Sequence, residues 1–342
     1  MNTAQRRDMV VVAASAGGIE ALRDLLSRLP GNLPASLLVV LHIPPSSGGA
    51  LANVLNRSGP LSASAAKDGE DIRPGHVYVA PPDCHLLIED GRVKLSHGPR
   101  QNGHRPAADP LFSSAADACG MRVLAVVLSG TLDDGATGAA VVERCGGLIA
   151  VQDPAESAYP GMPRAALAAT QHPKVLSVPE IAGLIVRESQ ESVASPRNNP
   201  ANPANPTDPS HLPGIVTESG PAASRPPGEW SGLTCPECGG PLHYSTAVRP
   251  GRYECRVGHG WSPASLLNGH AAAVEQALWV ATLRLDERNR LTQHMADEAD
   301  KRGHLHSAAG FREAARQAGD ALVTIRGLLE RAGVSQNQDD ET

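Results

Sequence analysis

Residues able to do nucleophilic chemistry follow three apolar runs. Ser15 comes after Val10-Val11-Val12-Ala13-Ala14, and His42 after Leu37-Leu38-Val39-Val40-Leu41. Asp134 lies in Ser129-Gly130-Thr131-Leu132-Asp133-Asp134-Gly135-Ala136, behind Val123-Leu124-Ala125-Val126-Val127-Leu128. A hydroxyl, an imidazole and a carboxylate can together form an activated serine: the imidazole takes the hydroxyl proton and the carboxylate orients the imidazole. Taken alone, each has a plainer reading. A serine before a helix is ordinarily its N-cap, and Asp133 competes with Asp134, with a solvated turn carboxylate as its ordinary role. A nucleotide-binding glycine turn is a further reading, but the segment lacks Gly-x-Gly-x-x-Gly and would leave His42 and Asp134 without a purpose.

The elements that must place these groups are strands. A short run of β-forming residues ending in small residues, followed by the helical spacing Ile19, Leu22, Leu25, Leu26, reads as strand, tight turn and helix. That geometry aims the Ser15 hydroxyl at the carboxyl edge of a sheet. The Ala16 N–H and the helix N-terminus then face a developing oxyanion, while Gly17 and Gly18 leave room for a substrate. Three buried strands ending in serine, histidine and aspartate predict an α/β, doubly wound, mainly parallel sheet with flanking helices, and a site at its carboxyl edge.

Residues 9 to about 187 resemble the catalytic domain of the CheB family of chemoreceptor methylesterases. The resemblance is carried by Ala14-Ser15-Ala16-Gly17-Gly18, His42-Ile43-Pro44, Val77-Tyr78-Val79-Ala80-Pro81-Pro82, Arg105-Pro106 with Asp109-Pro110-Leu111-Phe112, Asp134-Gly135-Ala136-Thr137-Gly138, Gln152-Asp153-Pro154 and Tyr159-Pro160-Gly161-Met162-Pro163-Arg164. It implies Ser15 as nucleophile, His42 as base and Asp134 as orienting carboxylate, in an order that differs from the Ser, Asp, His of α/β-hydrolases. It also implies hydrolysis of glutamyl methyl esters on a methylated chemoreceptor or related signalling protein, with glutamine deamidation as a second activity. Ala16, Gly17, Thr131 and Arg164 become candidates for oxyanion and substrate contacts, and Arg105 for an acidic segment. The chain departs from the family pattern in three places: at Ala13, two residues before the serine, at Ala16, just after it, and in Gly130-Thr131-Leu132, before the aspartates. Leucine resists positive φ, so the loop carrying Asp134 is expected to take a different path. His76, His85, His97 and His104 are expected in surface or capping roles.

The 342 residues and 41% hydrophobic content suffice for more than one folded unit. With only 3% aromatics, the core must be Val, Leu, Ile and Ala. A net charge of −6 offers no basic field for nucleic acid or anionic lipid, and no membrane insertion is expected. The apolar run after Arg6-Arg7 is too short for a secretory leader, so a cytoplasmic location is expected. The domain division read from the chain is 1–190 for the catalytic domain, 191–229 for a linker, 230–262 for a Cys/His module, 263–335 for a helical hairpin and 336–342 for an acidic tail. The linker rests on nine prolines between Pro196 and Pro227, with many asparagines and serines.

Cys235-Pro236-Glu237-Cys238, with Cys255 and His259 beyond it, has the donors and spacing of a tetrahedral Cys3His zinc site. His243 is the reserve ligand, and zinc would staple a segment poor in core residues. Cys84, Cys119 and Cys145 read as small buried residues. Leu267, Ala271, Val274, Leu278, Ala281 and Leu285 form one helical stripe, and Phe311, Ala315, Ala318, Leu322, Ile325 and Leu329 another. These helices bury each other or bind a regulatory partner. Only about eight residues precede the first strand, so regulation is expected from another chain or from the C-terminal module. A non-catalytic signalling module that keeps the fold is the alternative function.

Overall fold

The computed structural model describes residues 6–44, 49–191, 228–246 and 251–339. The expected linker lies almost wholly outside the described residues, as do 340–342 of the acidic tail. In chain order the first part contains β1 (Met9–Ala14), α1 (Gly18–Ser27), β2 (Ser36–Leu41), α2 (Ala50–Asn56), β3 (Ser62–Ala65), β4 (His76–Val79), β5 (His85–Glu89) and β6 (Arg92–Ser96). It continues with α3 (Ala108–Cys119), β7 (Val123–Val127), α4 (Ala136–Arg144), β8 (Leu148–Gln152), α5 (Gly161–Ala169), β9 (Lys174–Leu176) and α6 (Val178–Gln190).

Seven of these strands form one parallel sheet in the order β3-β4-β2-β1-β7-β8-β9. The central strands β1, β2 and β7 are apolar at every position but Ser36, because helices cover both faces. Val10, Val12 and Ala14 of β1 pack with Leu22, Leu25 and Leu26 of α1 and with Ile181, Leu184 and Ile185 of α6. Val11 and Ala13 face the opposite layer, with Leu111, Phe112 and Ala115 of α3, Val142 of α4 and Ala166 of α5. Ile19 of the predicted α1 stripe is exposed instead. The chain leaves β1 toward β2 on one side and β7 toward β8 on the other, so the strand order reverses between β1 and β7. A crevice at the carboxyl ends of such strands is where open α/β sheets bind ligands. β5 and β6 form an antiparallel hairpin over α3, turned by Asp90-Gly91 with both residues at positive φ.

The Cys/His segment belongs to the same compact unit, Met1–Leu266, rather than standing apart from the catalytic sheet. It is a four-stranded antiparallel ribbon of β10 (Glu229–Thr234), β11 (Pro241–Ser245), β12 (Arg252–Cys255) and β13 (Gly260–Trp261). Leu242, Trp261 and Leu266 form its small core with Cys235 and Cys255. Gly260 of β13 bridges in parallel to Gln101, so the ribbon's last strand lies along the loop before α3.

Leu267–Thr342 form a second unit, made of most of α7 (Pro263–Lys301) and of α8 (Leu305–Asp339). The two helices turn at Arg302-Gly303-His304, and Gly303 supplies the positive φ for the reversal. The expected α8 stripe is present, with Ala315, Ala318, Leu322 and Leu329 buried. The α7 stripe is corrected in its first half: Leu267 and Val274 are 74% and 60% exposed and Ala271 is exposed too, whereas Leu278, Ala281 and Leu285 are half-buried and Thr282, Ala296 and Ala299 are buried. Arg312 pairs with Asp300, and Gly319 lies against Asn289. Among the described residues no helix is long and apolar enough to cross a membrane.

Candidate active site

Ser15, His42 and Asp134 meet at the carboxyl edge of the sheet, each just beyond the strand or loop read for it. Parallel pairing of β1 with β2 and β7 fixes their spacing, since Ala14 opposes Leu41 and Ala13 opposes Val127. His42 Nδ1 lies 3.2 Å from Ser15 Oγ, and His42 Nε2 lies 2.7 Å from Asp134 Oδ2. Nε2–H therefore donates to the carboxylate, leaving Nδ1 as the acceptor that faces the hydroxyl. Asp134 is 2% exposed. Burial alone would raise its pKa, but the hydrogen bond and the charge of His42, with the Ala108 N–H bond and the nearby His104, together outweigh burial and hold the carboxyl well below the usual range.

The nucleophile's turn leaves little space. Gly17 has φ +68°, and a Cβ there would come within 2.8 Å of Ala158 Cβ and Ser129 Oγ. Ser129 fastens the turn from below: its carbonyl accepts from the Ser15 N–H at 2.9 Å, and its hydroxyl donates to the Ala16 carbonyl at 2.8 Å. Its own N–H donates to Gln152 Oε1. Among the described residues neither the Ala16 N–H nor the Gly17 N–H has an acceptor, so two donors remain beside Ser15 at the start of α1. Thr131 is half-buried in the β7–α4 loop, and Arg164 is exposed on α5.

Leu132 does adopt the left-handed backbone, with φ +59°. The loop thus holds a positive-φ conformation with leucine in it. Gly161 permits this loop geometry, because a Cβ there would sit 2.8 Å from the Leu132 nitrogen.

Two residues that sequence reasoning left aside support Asp134. Asn102 Nδ2 donates to Asp134 Oδ1 at 3.1 Å and to Asp109 Oδ2 at 3.0 Å. Asp109, fully buried at the start of α3, accepts through Oδ1 from the N–H groups of Gly135 and Gly138. It thereby holds the N-terminus of α4 immediately after Asp134. Asp109-Pro110 opening a helix was visible as a motif, but its burial was not.

Other expectations need correction. His104 is not a surface residue: its ring stacks on that of His42, with centroids 3.8 Å apart and planes 10° from parallel. Burial, then repulsion from His42, lowers its pKa to about 4. His85 is 4% exposed, bonded to the Pro99 carbonyl and the Ala107 N–H, and its pKa is also lowered to about 4, chiefly by burial. Arg105 is consumed by Asp83 and by the carbonyls of His97 and Gly98. Asp133 is no solvated turn residue, since Oδ1 accepts from the hydroxyls of Ser262 and Ser265 at 2.7 and 2.6 Å. Cys84, Cys119 and Cys145 are only half-buried.

In the ribbon, Cys235, Cys238, Cys255 and His259 bring their ligand atoms within 4.8 Å of one another. His243, on β11, lies outside that cluster.

Comparison with known proteins places these observations. The CheB methylesterase family matches residues 10–185. Protein-glutamate methylesterase/protein-glutamine glutaminase 4 of Myxococcus xanthus is 42% identical over 178 residues, covering 52% of this chain and 50% of that protein. A putative protein-glutamate methylesterase/protein-glutamine glutaminase of Leptospira interrogans is 37% identical over 187 residues, 54% of this chain and 97% of that protein. The chain therefore spans about half the length of the first relative and nearly all of the second. The crystal structure of the Thermotoga maritima CheB methylesterase catalytic domain superposes with a TM-score of 0.51 at 33% identity, covering 53% of this chain and 97% of that one. With its parallel sheet and its serine, histidine and aspartate at the switch point, the chain belongs to the CheB methylesterase family.

Proposed function

We propose that this protein is a serine esterase that hydrolyses glutamyl methyl esters on a chemoreceptor or related signalling protein. The observation that carries the reading is the unbroken chain of hydrogen bonds from Ser15 through His42 to Asp134. His42 Nδ1 takes the Ser15 proton as Oγ attacks the ester carbonyl, and the Ala16 and Gly17 N–H groups receive the oxyanion. The same nitrogen returns the proton to methoxide, so methanol leaves and a glutamyl-serine ester remains. Water repeats the cycle and frees glutamate and Ser15. Asp134 remains ionised and stabilises the imidazolium without taking its proton. A glutamine side chain would pass through the same acyl-enzyme with ammonia leaving, as the names of the relatives suggest. The complete triad leaves a purely non-catalytic role without support.

Methanol release from methylated receptor by the full chain, beside Ser15→Ala, tests this. Loss of about 10⁴-fold or more in kcat is expected for Ser15→Ala. Equal release by both forms overturns the nucleophile, and no release by either overturns the substrate.

The ribbon's donors fit zinc. Cys238 Sγ and Cys255 Sγ are 3.7 Å apart, and Cys255 Sγ lies 3.5 Å from His259 Nδ1. Bonds of about 2.3 Å to sulfur and 2.0–2.1 Å to nitrogen give tetrahedral edges of about 3.75 and 3.5 Å. Cys235, Cys238, Cys255 and His259 would hold the ion, which has a structural role and takes no part in the ester chemistry. We place the enzyme in the cytoplasm, where reduced thiols suit such a site.

A further inference from the structure

We propose that Arg252, on β12 of the ribbon and outside the family match, is a positioning residue of the esterase site. The inference rests on the serine-esterase reading above. Arg252 is 3% exposed, and its guanidinium faces three partners: Asp109 Oδ2 at 3.5 Å, Glu254 Oε1 at 3.1 Å and the Gln101 side-chain carbonyl. Through Asp109 it reaches the N–H groups of Gly135 and Gly138, which open α4 directly after Asp134.

Asn102 carries a parallel connection. Its Oδ1 accepts from the Ser262 N–H at 2.9 Å and its backbone N–H donates to the Gly260 carbonyl at 2.7 Å, while Nδ2 holds both aspartates. One asparagine therefore ties the ribbon's last strand to Asp134. Asn102 itself has φ +53°, a backbone held in place by these bonds.

Charge explains why an arginine is needed. Asp109 and Asp134 are both fully buried and share the Asn102 amide, and a second buried carboxylate beside Asp134 is unfavourable without a cation. Burial and Asp134 push Asp109 up to about 7, and Arg252 opposes them. The groups around the pair are Arg252, Asp133 and, beyond Asp134, His42, His104 and His85. Without the guanidinium, Asp109 shifts further toward its protonated form and the N-terminus of α4 loses its charged anchor.

The test is methanol release by the full chain as wild type, Arg252→Met, Arg252→Lys and Ser15→Ala, with folding checked by circular dichroism. Arg252→Met is expected to lower kcat about 10–100-fold with KM within about twofold, and to move the acid limb of the kcat profile to higher pH. Arg252→Lys keeps the charge but loses the fork, and should recover part of kcat. A folded Arg252→Met with wild-type kcat and pH profile overturns the proposal. If Arg252→Met does not fold, Arg252→Lys decides: several-fold lower kcat at unchanged KM supports positioning, and wild-type kcat overturns it. Failure of the esterase reading is distinguishable, because Ser15→Ala would then release methanol as fast as wild type, or wild type itself would release none.

Discussion

The pair of stacked imidazoles shows how a residue's surroundings, rather than its type, decide its role. His42 was legible because it ends a buried strand; His104 was not, because it sits in a loop whose partners come from distant parts of the chain. Its lowered pKa has a consequence for stability. The folded state resists protonating His104 and His85 until about pH 4, whereas the unfolded chain binds those protons near 6.5. The unfolded state therefore gains protons first as pH falls, and stability drops across that window by up to roughly 3 kcal/mol for each histidine. His104→Phe keeps an aromatic ring against His42 and removes the titration. Urea unfolding at pH 7 and pH 4.5 should show a smaller loss for this variant than for wild type, and an equal loss would remove His104 from the account. Leu132 teaches a related lesson: the sequence showed a residue unsuited to positive φ, but its surroundings impose that conformation all the same.

At the level of elements, the parallel sheet was readable because its central strands are almost wholly apolar and end in chemistry. The packing of α3 against α4 was not, although it sets where Asp109 and Asp134 stand. Gly138 lies at that contact, and a Cβ there would approach Phe112 Cβ to 2.6 Å and Asp109 Cα to 3.1 Å. Gly138→Ala should part the two helices, cost about 1–3 kcal/mol in thermal unfolding and lower kcat, because the Gly138 N–H would move away from Asp109. Unchanged melting and kcat would show that the contact yields easily. Only the first half of the stripe on α7 is exposed, for a different reason: apolar spacing reports which side of a helix could be buried, but the position of the partner helix decides where along its length burial occurs.

For the whole molecule, spacing alone made the Cys/His cluster legible, whereas its docking on the catalytic sheet depends on single polar contacts with no periodic signal. The full chain is expected to carry one zinc per molecule by elemental analysis, and Cys238→Ser should shed it and lower the melting temperature. A metal-free wild type with the same melting behaviour as Cys238→Ser would remove zinc from the structure. The order in which the chain brings its parts together also matters during synthesis. Ser15, His42 and Asp134 all precede the segment containing Arg252, which lies 118 positions after Asp134. At about 5–20 residues per second, a ribosome takes roughly 6–24 s to cover that distance. The residues of the proposed triad are thus made before the ribbon exists, and on the proposed role of Arg252 they are braced only once the ribbon has been made.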